Sequence, residues 1–211
     1  MTQENYLHAG AFVDSDHPLV IEFAQSHGGD AKTDIDTALN LFYAVRDEIF
    51  YDPYRPMLDP SSYRASDAVK SGRGFCVPKS ALLAACARIH GIPARPGYAD
   101  VRNHLATQRL LDLLGTDLFY WHSYSELYLD GKWVKCTPVF NKKLCDRFGL
   151  KPLDFDGQND SLFHEFDKAG QRHMEYLNDR GTYTDVPFDE IIETFTAHYS
   201  KEWLRGAGGE F

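Results

Sequence analysis

The clearest pattern in the chain is a period of two between residues 122 and 128. Aromatic, charged or imidazole side chains alternate there with Ser, Ser and Leu. This alternation predicts a β-strand, because successive side chains of a strand point to opposite faces. Asp130 and Gly131 follow and are typical of a two-residue hairpin turn. A second strand is therefore predicted over 133–139.

The register of this hairpin places His122 among specific neighbours. A two-residue turn at 130–131 sets Tyr128 opposite Trp133 and, further along, His122 opposite Val139. The diagonal neighbours of His122 are then Thr137 and Asn141, about 7–8 Å away between backbone positions and within side-chain reach. Pro138 can bend this strand, which makes the placement of Asn141 the weaker of the two.

A helical period follows Pro78, which suits the first turn of a helix because it lacks an N–H group. Apolar residues then recur at helical spacing up to Ile89, and Gly91 with Pro93 signals the end. Periodicity and similar start and stop signals predict the remaining elements. Helices are predicted over 17–27, 33–50, 78–90 and 104–114, strands over 95–101, 122–129 and 133–139, and further helix over 187–204.

These elements place a thiol at the start of a predicted helix and an imidazole at the start of a predicted strand. Cys76 lies at or just before the N-cap of the predicted helix, where unsatisfied N–H groups and the positive end of the helix dipole favour a thiolate. His122 starts a predicted strand and can act as its base. Taken singly, Cys76 is equally typical of a buried apolar cysteine. A lone histidine on a strand is more often structural than catalytic.

The motifs together resemble a known family. Gly-x-Cys-x-x-Lys at 74–79, Gly-Ile-Pro-Ala-Arg at 91–95, His-x-Tyr-x-Glu-x-Tyr-x-Asp-Gly-x-Trp at 122–133 and Thr-Pro at 137–138 are similar to the transglutaminase-like superfamily of bacterial cysteine proteases. The resemblance covers roughly residues 35–140, and as an ordered set it is more specific than any one motif.

The resemblance implies an α+β fold with a papain-like core, in which the Cys-bearing helix packs on an antiparallel β-sheet that carries the histidine. We expect one domain over 1–211, with its core at about 35–140, an N-terminal helical extension over 1–34 and a C-terminal elaboration over 141–211. It also implies a cysteine-dependent enzyme that acts on an amide or peptide bond. An acyltransferase or cyclase on a thioester, and a degenerate member that only binds a peptide or partner, remain alternatives.

One position departs from the family pattern. The family usually carries Asp-Pro where this chain has Thr137 and Pro138. That aspartate orients the imidazole and stabilises its charged form, whereas a hydroxyl supplies no charge. Thr137 or Asn141 is expected to hold His122, and Asp156 or Asp160 folding back onto the site are further alternatives. The predicted catalytic residues are Cys76, His122, Thr137 and Asn141.

Composition limits the binding partners and the cellular compartment that we expect for this protein. The 211 residues carry a net charge of −9, which argues against nucleic acid or an anionic membrane as the main partner. No apolar run suits a membrane helix, and the N-terminal residues lack the features of a secretory signal. The cysteines (Cys76, Cys86, Cys136 and Cys145) show no disulfide framework, so we expect a cytoplasmic, reducing setting. Oligomeric state is left open.

Other candidate sites are weaker. No cofactor is expected, and no metal, because the group His164, Glu165, Asp167, His173 and Glu175 shows no ligand spacing such as His-Glu-x-x-His. The segment 155–160 resembles a calcium loop in composition only. The segment 102–121 is longer than a hairpin needs, and we expect it to form a wall or lid over the cleft.

Overall fold

The structure is a computed structural model that describes residues 3–104, 106–162 and 174–206. Within these ranges the helices are α1 (Pro18–Gly28), α2 (Asp34–Glu48), α3 (Ala65–Ser71), α4 (Cys76–Ile89), α5 (Gln108–Leu114), α6 (Lys142–Phe148), α7 (Phe188–His198) and α8 (Lys201–Leu204). The strands are β1 (Phe50–Tyr51), β2 (Arg73–Gly74), β3 (Ala94–Asn103), β4 (Leu118–Leu129), β5 (Lys132–Cys136) and β6 (Met174–Thr182). Short 3₁₀ turns cover Gln3–Tyr6 and Pro60–Tyr63.

The main sheet is antiparallel and has the order β5-β4-β3-β6. A separate parallel pair, β1 and β2, leads directly into α4. Helix α4 packs on β3 and β4 with one side and on α1, α2 and α3 with the others. The predicted α+β class, with the Cys-bearing helix on an antiparallel sheet, is confirmed.

Helix α4 is the centre of the core. Every residue from Val77 to Arg88 is buried, because the helix is covered by the sheet and by three other helices. The helix begins at Cys76, two residues before the predicted start. Pro78 is tolerated in its first turn, since the first N–H groups of a helix have no partner within it.

The predicted hairpin register is confirmed where the ladder continues. Tyr128 pairs with Trp133 and Glu126 with Lys135. The turn residues Asp130 and Gly131 both have positive φ, at 48° and 83°, as this turn type requires. The second strand, however, ends at position 136 instead of 139.

The early end of β5 has a physical cause. The Thr137 N–H donates to the carbonyl of Ser161 at 3.0 Å, and Cys136 forms a bridge with the same residue. Pro138 has no N–H with which to continue a ladder. The predicted continuation of the ladder to His122 opposite Val139 was therefore wrong.

Three further boundaries differ from the prediction. The helix predicted over 104–114 begins only at Gln108, because β3 continues through Asn103. Strand β4 starts at Leu118 rather than at His122. The helical segment predicted over 187–204 is divided at Tyr199, and the Ser200 side chain caps α8 by accepting the Trp203 N–H.

Both terminal parts of the described chain lie against this core. The carboxylate of Asp185 accepts the N–H groups of Ala11, Phe12 and Val13 at 2.6–3.3 Å. The buried guanidinium of Arg88 donates to the carbonyls of His8, Ala94 and Thr184. Among the described helices, none is both long and apolar enough to cross a bilayer.

Candidate active site

Cys76 is the first residue of α4 and keeps part of its surface exposed. The chain reaches it through β2 and Gly74, and a Cβ at position 74 would lie 3.1 Å from Cγ of Pro78. Glycine at 74 therefore lets the backbone turn closely around the first turn of the helix. This places the sulfur at the end of α4 that faces β4.

The protonation of the Cys76 thiol is set by two opposing effects. Burial raises its pKa, and the backbone N–H groups of Ser123, Val77 and Cys76 itself lower it. Burial is the larger effect and brings the pKa to about 11. The sequence predicts that the start of the helix favours a thiolate, and those N–H groups are present. The thiol of the unliganded protein is nevertheless neutral at pH 7.

His122 follows a bulge in the sheet. Between the pairs Ala99–His122 and Val101–Phe119, β4 carries one residue more than β3. The extra residue is accommodated at Trp121, whose φ of 57° is unusual for a bulky residue. Bulges of this kind re-aim the side chain that follows, and here that side chain is the imidazole, which is only 7% exposed.

The strained backbone at Trp121 is held by a buried carboxylate. Asp100 accepts the Trp121 N–H at 3.1 Å and also binds the guanidinium of Arg180 at 2.5 Å. The Arg180 guanidinium lies over the Trp121 ring at 4.5 Å. This cluster explains why a backbone of positive φ persists beside the imidazole. Sequence periodicity gave no sign of it.

Cys76 and His122 line one apolar cavity, which we call the reaction cavity. Its wall also includes Tyr51, Leu110, Phe119, Tyr120, Tyr199 and Trp203. The Ser123 N–H reaches the Cys76 sulfur, so the strand is joined to the start of the helix one residue after His122. The two predicted chemical residues thus come together, and Leu110 and Phe119 provide part of the wall expected from segment 102–121.

Tyr51 adds a hydroxyl donor to the same cavity. Its ring packs edge-on against Phe140 at 4.9 Å between centroids. Burial, together with the neighbouring Cys76, raises the pKa of its phenol well above the ordinary value. The phenol therefore keeps its proton at neutral pH and can donate a hydrogen bond. The sequence alone does not single out this residue.

Thr137, at the position where the resemblance implies an aspartate, is 1% exposed. Its N–H donates to Ser161. Its hydroxyl oxygen has no hydrogen-bond partner among the residues that the structure describes. The hydroxyl therefore makes no hydrogen bond to His122 in this structure. That Thr137 holds the imidazole during the reaction stays a prediction.

Asn141 is buried and binds another part of the chain. Its Nδ2 donates to the carbonyls of Arg46 and Ile49 at 2.5 and 2.9 Å. Its Oδ1 accepts the Tyr51 N–H at 2.7 Å. The amide thus fixes the turn between α2 and β1, which carries Tyr51 to the cavity. A direct hold of Asn141 on His122 also stays a prediction.

The other aspartates considered as partners of His122 have neighbours elsewhere. Asp156 accepts the side-chain amide and the backbone N–H of Asn159 and the N–H of Gln158, and these hydrogen bonds lower its pKa to about 2. Asp160 accepts the Lys135 N–H at 2.9 Å. Neither contact leads to the reaction cavity.

The candidate metal ligands are only partly within the structure. His164, Glu165, Asp167 and His173 lie outside the described residues. Glu175 is described and binds His104 at 3.1 Å. Across the described ranges, no group of three or more His, Cys, Asp or Glu side chains suits a metal ion.

Lys79, like Tyr51, is a residue near the site that the sequence alone does not single out. It is fully buried one turn after Cys76, and its Nζ donates to Arg46 and Ile49, the same carbonyls that Asn141 binds. Burial holds the pKa of its ammonium well below the usual range. A lysine in an otherwise apolar helix start, within the motif Gly-x-Cys-x-x-Lys, was the available signal.

The sequence itself matches a family model for the transglutaminase-like superfamily over residues 21–138, more than half of the chain. The chain belongs to the transglutaminase-like superfamily. This membership supports a cysteine-type enzyme in general terms. It also agrees with the resemblance seen in the motifs around Cys76 and His122.

Two solved structures are similar to this superfamily member in fold. One is a "putative cysteine protease" from Cytophaga hutchinsonii, with a TM-score of 0.47, 17% identity and 84% of this chain covered. The other is a "putative protease" from Parabacteroides distasonis, with a TM-score of 0.39, 17% identity and 55% covered. The matches span 53% and 22% of those chains. No curated protein matches the sequence.

Proposed function

We propose that this protein is a cysteine-dependent acyl-transfer enzyme that cleaves or exchanges an amide or peptide bond through a thioester at Cys76. One observation carries the proposal: Cys76 and His122 line the same apolar cavity. A thiol at a helix start beside an imidazole on a strand is the arrangement from which papain-like chemistry is built.

The neutral thiol decides how the reaction would start. Because burial raises the pKa of Cys76 to about 11, His122 has to take the proton as the sulfur attacks the carbonyl carbon. A C–S bond forms, and the negative charge develops on the carbonyl oxygen. The intermediate collapses when the C–N bond breaks, and the imidazolium gives its proton to the leaving amine.

The thioester is then resolved by a second acyl transfer. Water, with His122 as base, gives hydrolysis, and an amine acceptor gives transamidation. The backbone N–H groups around Cys76 and the phenol of Tyr51 are candidate donors for the oxyanion. The walls around them are largely apolar, which strengthens such hydrogen bonds.

A binding-only member of the superfamily is the second candidate. The observation in its favour is the combination of a neutral thiol with threonine at the position of the family aspartate. Such a protein keeps the cleft and loses acyl transfer. An acyltransferase or cyclase on a thioester would use the same pair of residues and differ in the leaving group.

Acylation by p-nitrophenyl acetate distinguishes these functions. We expect one acetyl group to be transferred to the protein at pH 7, and peptide mapping to place it on Cys76. A protein that is labelled nowhere, or only on exposed lysines, would be a binding-only member. Release of amine or thiol from model acetyl amides and thioesters then separates amide cleavage from thioester chemistry.

Thr137→Asp is expected to raise the rate of Cys76 acylation by about tenfold or more, since a missing carboxylate can reduce such reactions by up to about 10⁴-fold. The substitution restores the charge that stabilises an imidazolium. Thr137→Asn serves as the control, because asparagine has the shape of aspartate without its charge. It should raise the acylation rate only slightly. If both variants react alike, position 137 does not supply the charge for His122.

A further inference from the structure

We propose that the cleft contains a cationic subsite, formed by Arg73, Lys143 and Arg147, that binds an anionic group of the substrate, a carboxylate or a phosphate. The inference rests on the proposed function, because it describes the same cleft. It adds that the substrate combines an apolar part near the thiol with an oxyanion further out.

The three cations converge from two elements beside the reaction cavity. Arg73 in β2 pairs with Phe50, while the next pair in this register is Tyr51 with Gly74. Lys143 and Arg147 are one turn apart on α6 and therefore share a face of that helix. All three line one open depression together with Phe50, Tyr51, Asn141 and Leu144.

The depression is continuous with the site of the chemistry. Tyr51 lines both the depression and the reaction cavity. Arg73 precedes Cys76 by three residues of extended or nearly extended chain, which spans about 10 Å. A bound acyl group at Cys76 thus reaches the cationic subsite with two or three further residues, or with a chain of similar length.

An apolar side cavity lies next to both. Tyr51 and His122 line it together with Val101, Phe119, Phe140 and Leu150, and Leu144 joins it to the cationic depression. Its wall is predominantly apolar, so it favours an aliphatic or aromatic group. The apolar side cavity, the reaction cavity and the cationic depression therefore adjoin one another, and Tyr51 lines all three.

The charges of Arg73 and Lys143 are available for a ligand. The chain as a whole carries a net charge of −9, yet Arg73 and Lys143 form no ion pair with any described residue. Asp47 is bound by Arg46 and the Lys142 N–H, and Asp146 forms no ion pair with Lys143. Lys143 Nζ instead lies over the Phe50 ring at 5.8 Å.

Two guanidinium groups and one ammonium group together suit an oxyanion, because a guanidinium group binds carboxylate or phosphate through two parallel hydrogen bonds. Exposed ion pairs are individually weak, so the subsite selects an anionic group mainly by the sum of its charges. The selection should weaken as salt is added.

Alkylation of Cys76 by matched chloroacetyl dipeptide amides tests the subsite. Chloroacetyl-leucyl-glutamate amide is compared with the glutamine and O-phosphoserine analogues; in each, sulfur forms a C–S bond, chloride leaves and His122 takes the proton. We expect an anionic probe to react about tenfold faster than the glutamine probe. The preference should vanish in the triple variant Arg73→Gln, Lys143→Gln and Arg147→Gln. A preference for glutamate or for phosphoserine identifies the oxyanion.

The control removes the same charge elsewhere. The triple variant Lys32→Gln, Arg64→Gln and Lys132→Gln changes exposed cations outside the depression and should keep the preference. Loss of the preference in this control, or equal rates of all probes at Cys76 in the wild type, overturns the subsite and leaves the proposed function intact. A folded protein in which no probe labels Cys76 overturns both.

Discussion

Cys76→Ala is expected to abolish acylation by p-nitrophenyl acetate and any turnover of amide substrates. Removal of a nucleophile of this kind lowers rates by about 10⁴-fold or more, because the covalent intermediate at this position can no longer form. The fold should be preserved, since Cys76 is partly exposed at the first position of α4 and alanine suits a helix. Stopped-flow release of p-nitrophenol and circular dichroism measure the two effects.

Cys86→Ala is the matched control on the same helix. Cys86 is fully buried, and burial raises the pKa of its thiol far above the ordinary value. The variant should lose about 1–2 kcal/mol of stability through the cavity that it creates and keep its acylation rate. Normal acylation of Cys76→Ala would remove the nucleophile assigned here.

Asn141→Ala is expected to lower the free energy of unfolding by about 3 kcal/mol. The amide makes three hydrogen bonds while it is 3% exposed, and its loss leaves the Tyr51 N–H without its acceptor. An orphaned buried donor costs about 1–3 kcal/mol, and the lost bonds to Arg46 and Ile49 are partly offset by Lys79. Urea denaturation measures the effect.

Asn159→Ala provides the control for the loss of an asparagine. Its side chain is exposed and, within the described part of the chain, binds only Asp156 in its own turn. We expect a change in stability of no more than about 0.5 kcal/mol. Equal stability losses in the two variants would show that the contacts between Asn141 and the turn after α2 do not hold the fold together.

The long helices and the hairpin were accessible from sequence because their signals are local. Helical spacing after Pro78 and the turn at Asp130 and Gly131 each lie within a few residues. Strand β6 was not predicted, since its partner β3 is more than 70 residues away in the chain. The short helices α3 and α6 carry too few turns for a period to stand out.

The residues of the candidate site likewise divide into those with local sequence signals and those whose environment depends on distant parts of the chain. Cys76 and His122 were recognisable because each sits at the start of an element with clear local signals. The environment of Asn141 was not, because its amide binds residues 90–95 positions earlier in the chain. The bulge at Trp121 was equally hidden, as it depends on Asp100 of the neighbouring strand.

The protonation state of the Cys76 thiol depends on more than its position at the start of a helix. The N–H groups expected at Cys76 are present and lower its pKa, as the sequence indicates. Burial acts in the opposite direction and is stronger, and the extent of burial depends on side chains from distant elements such as Tyr51 and Trp203. A local pattern therefore identifies the thiol without giving its charge.

The most direct test of the central claim is the pH dependence of Cys76 acetylation in the wild type and in His122→Ala, with His90→Ala as a control. We expect rapid acetylation at neutral pH in the wild type and in the control, because His122 takes the proton. In His122→Ala the rate should rise only as the thiol itself ionises, toward pH 11. Identical profiles in all three proteins would contradict the pairing of Cys76 with His122.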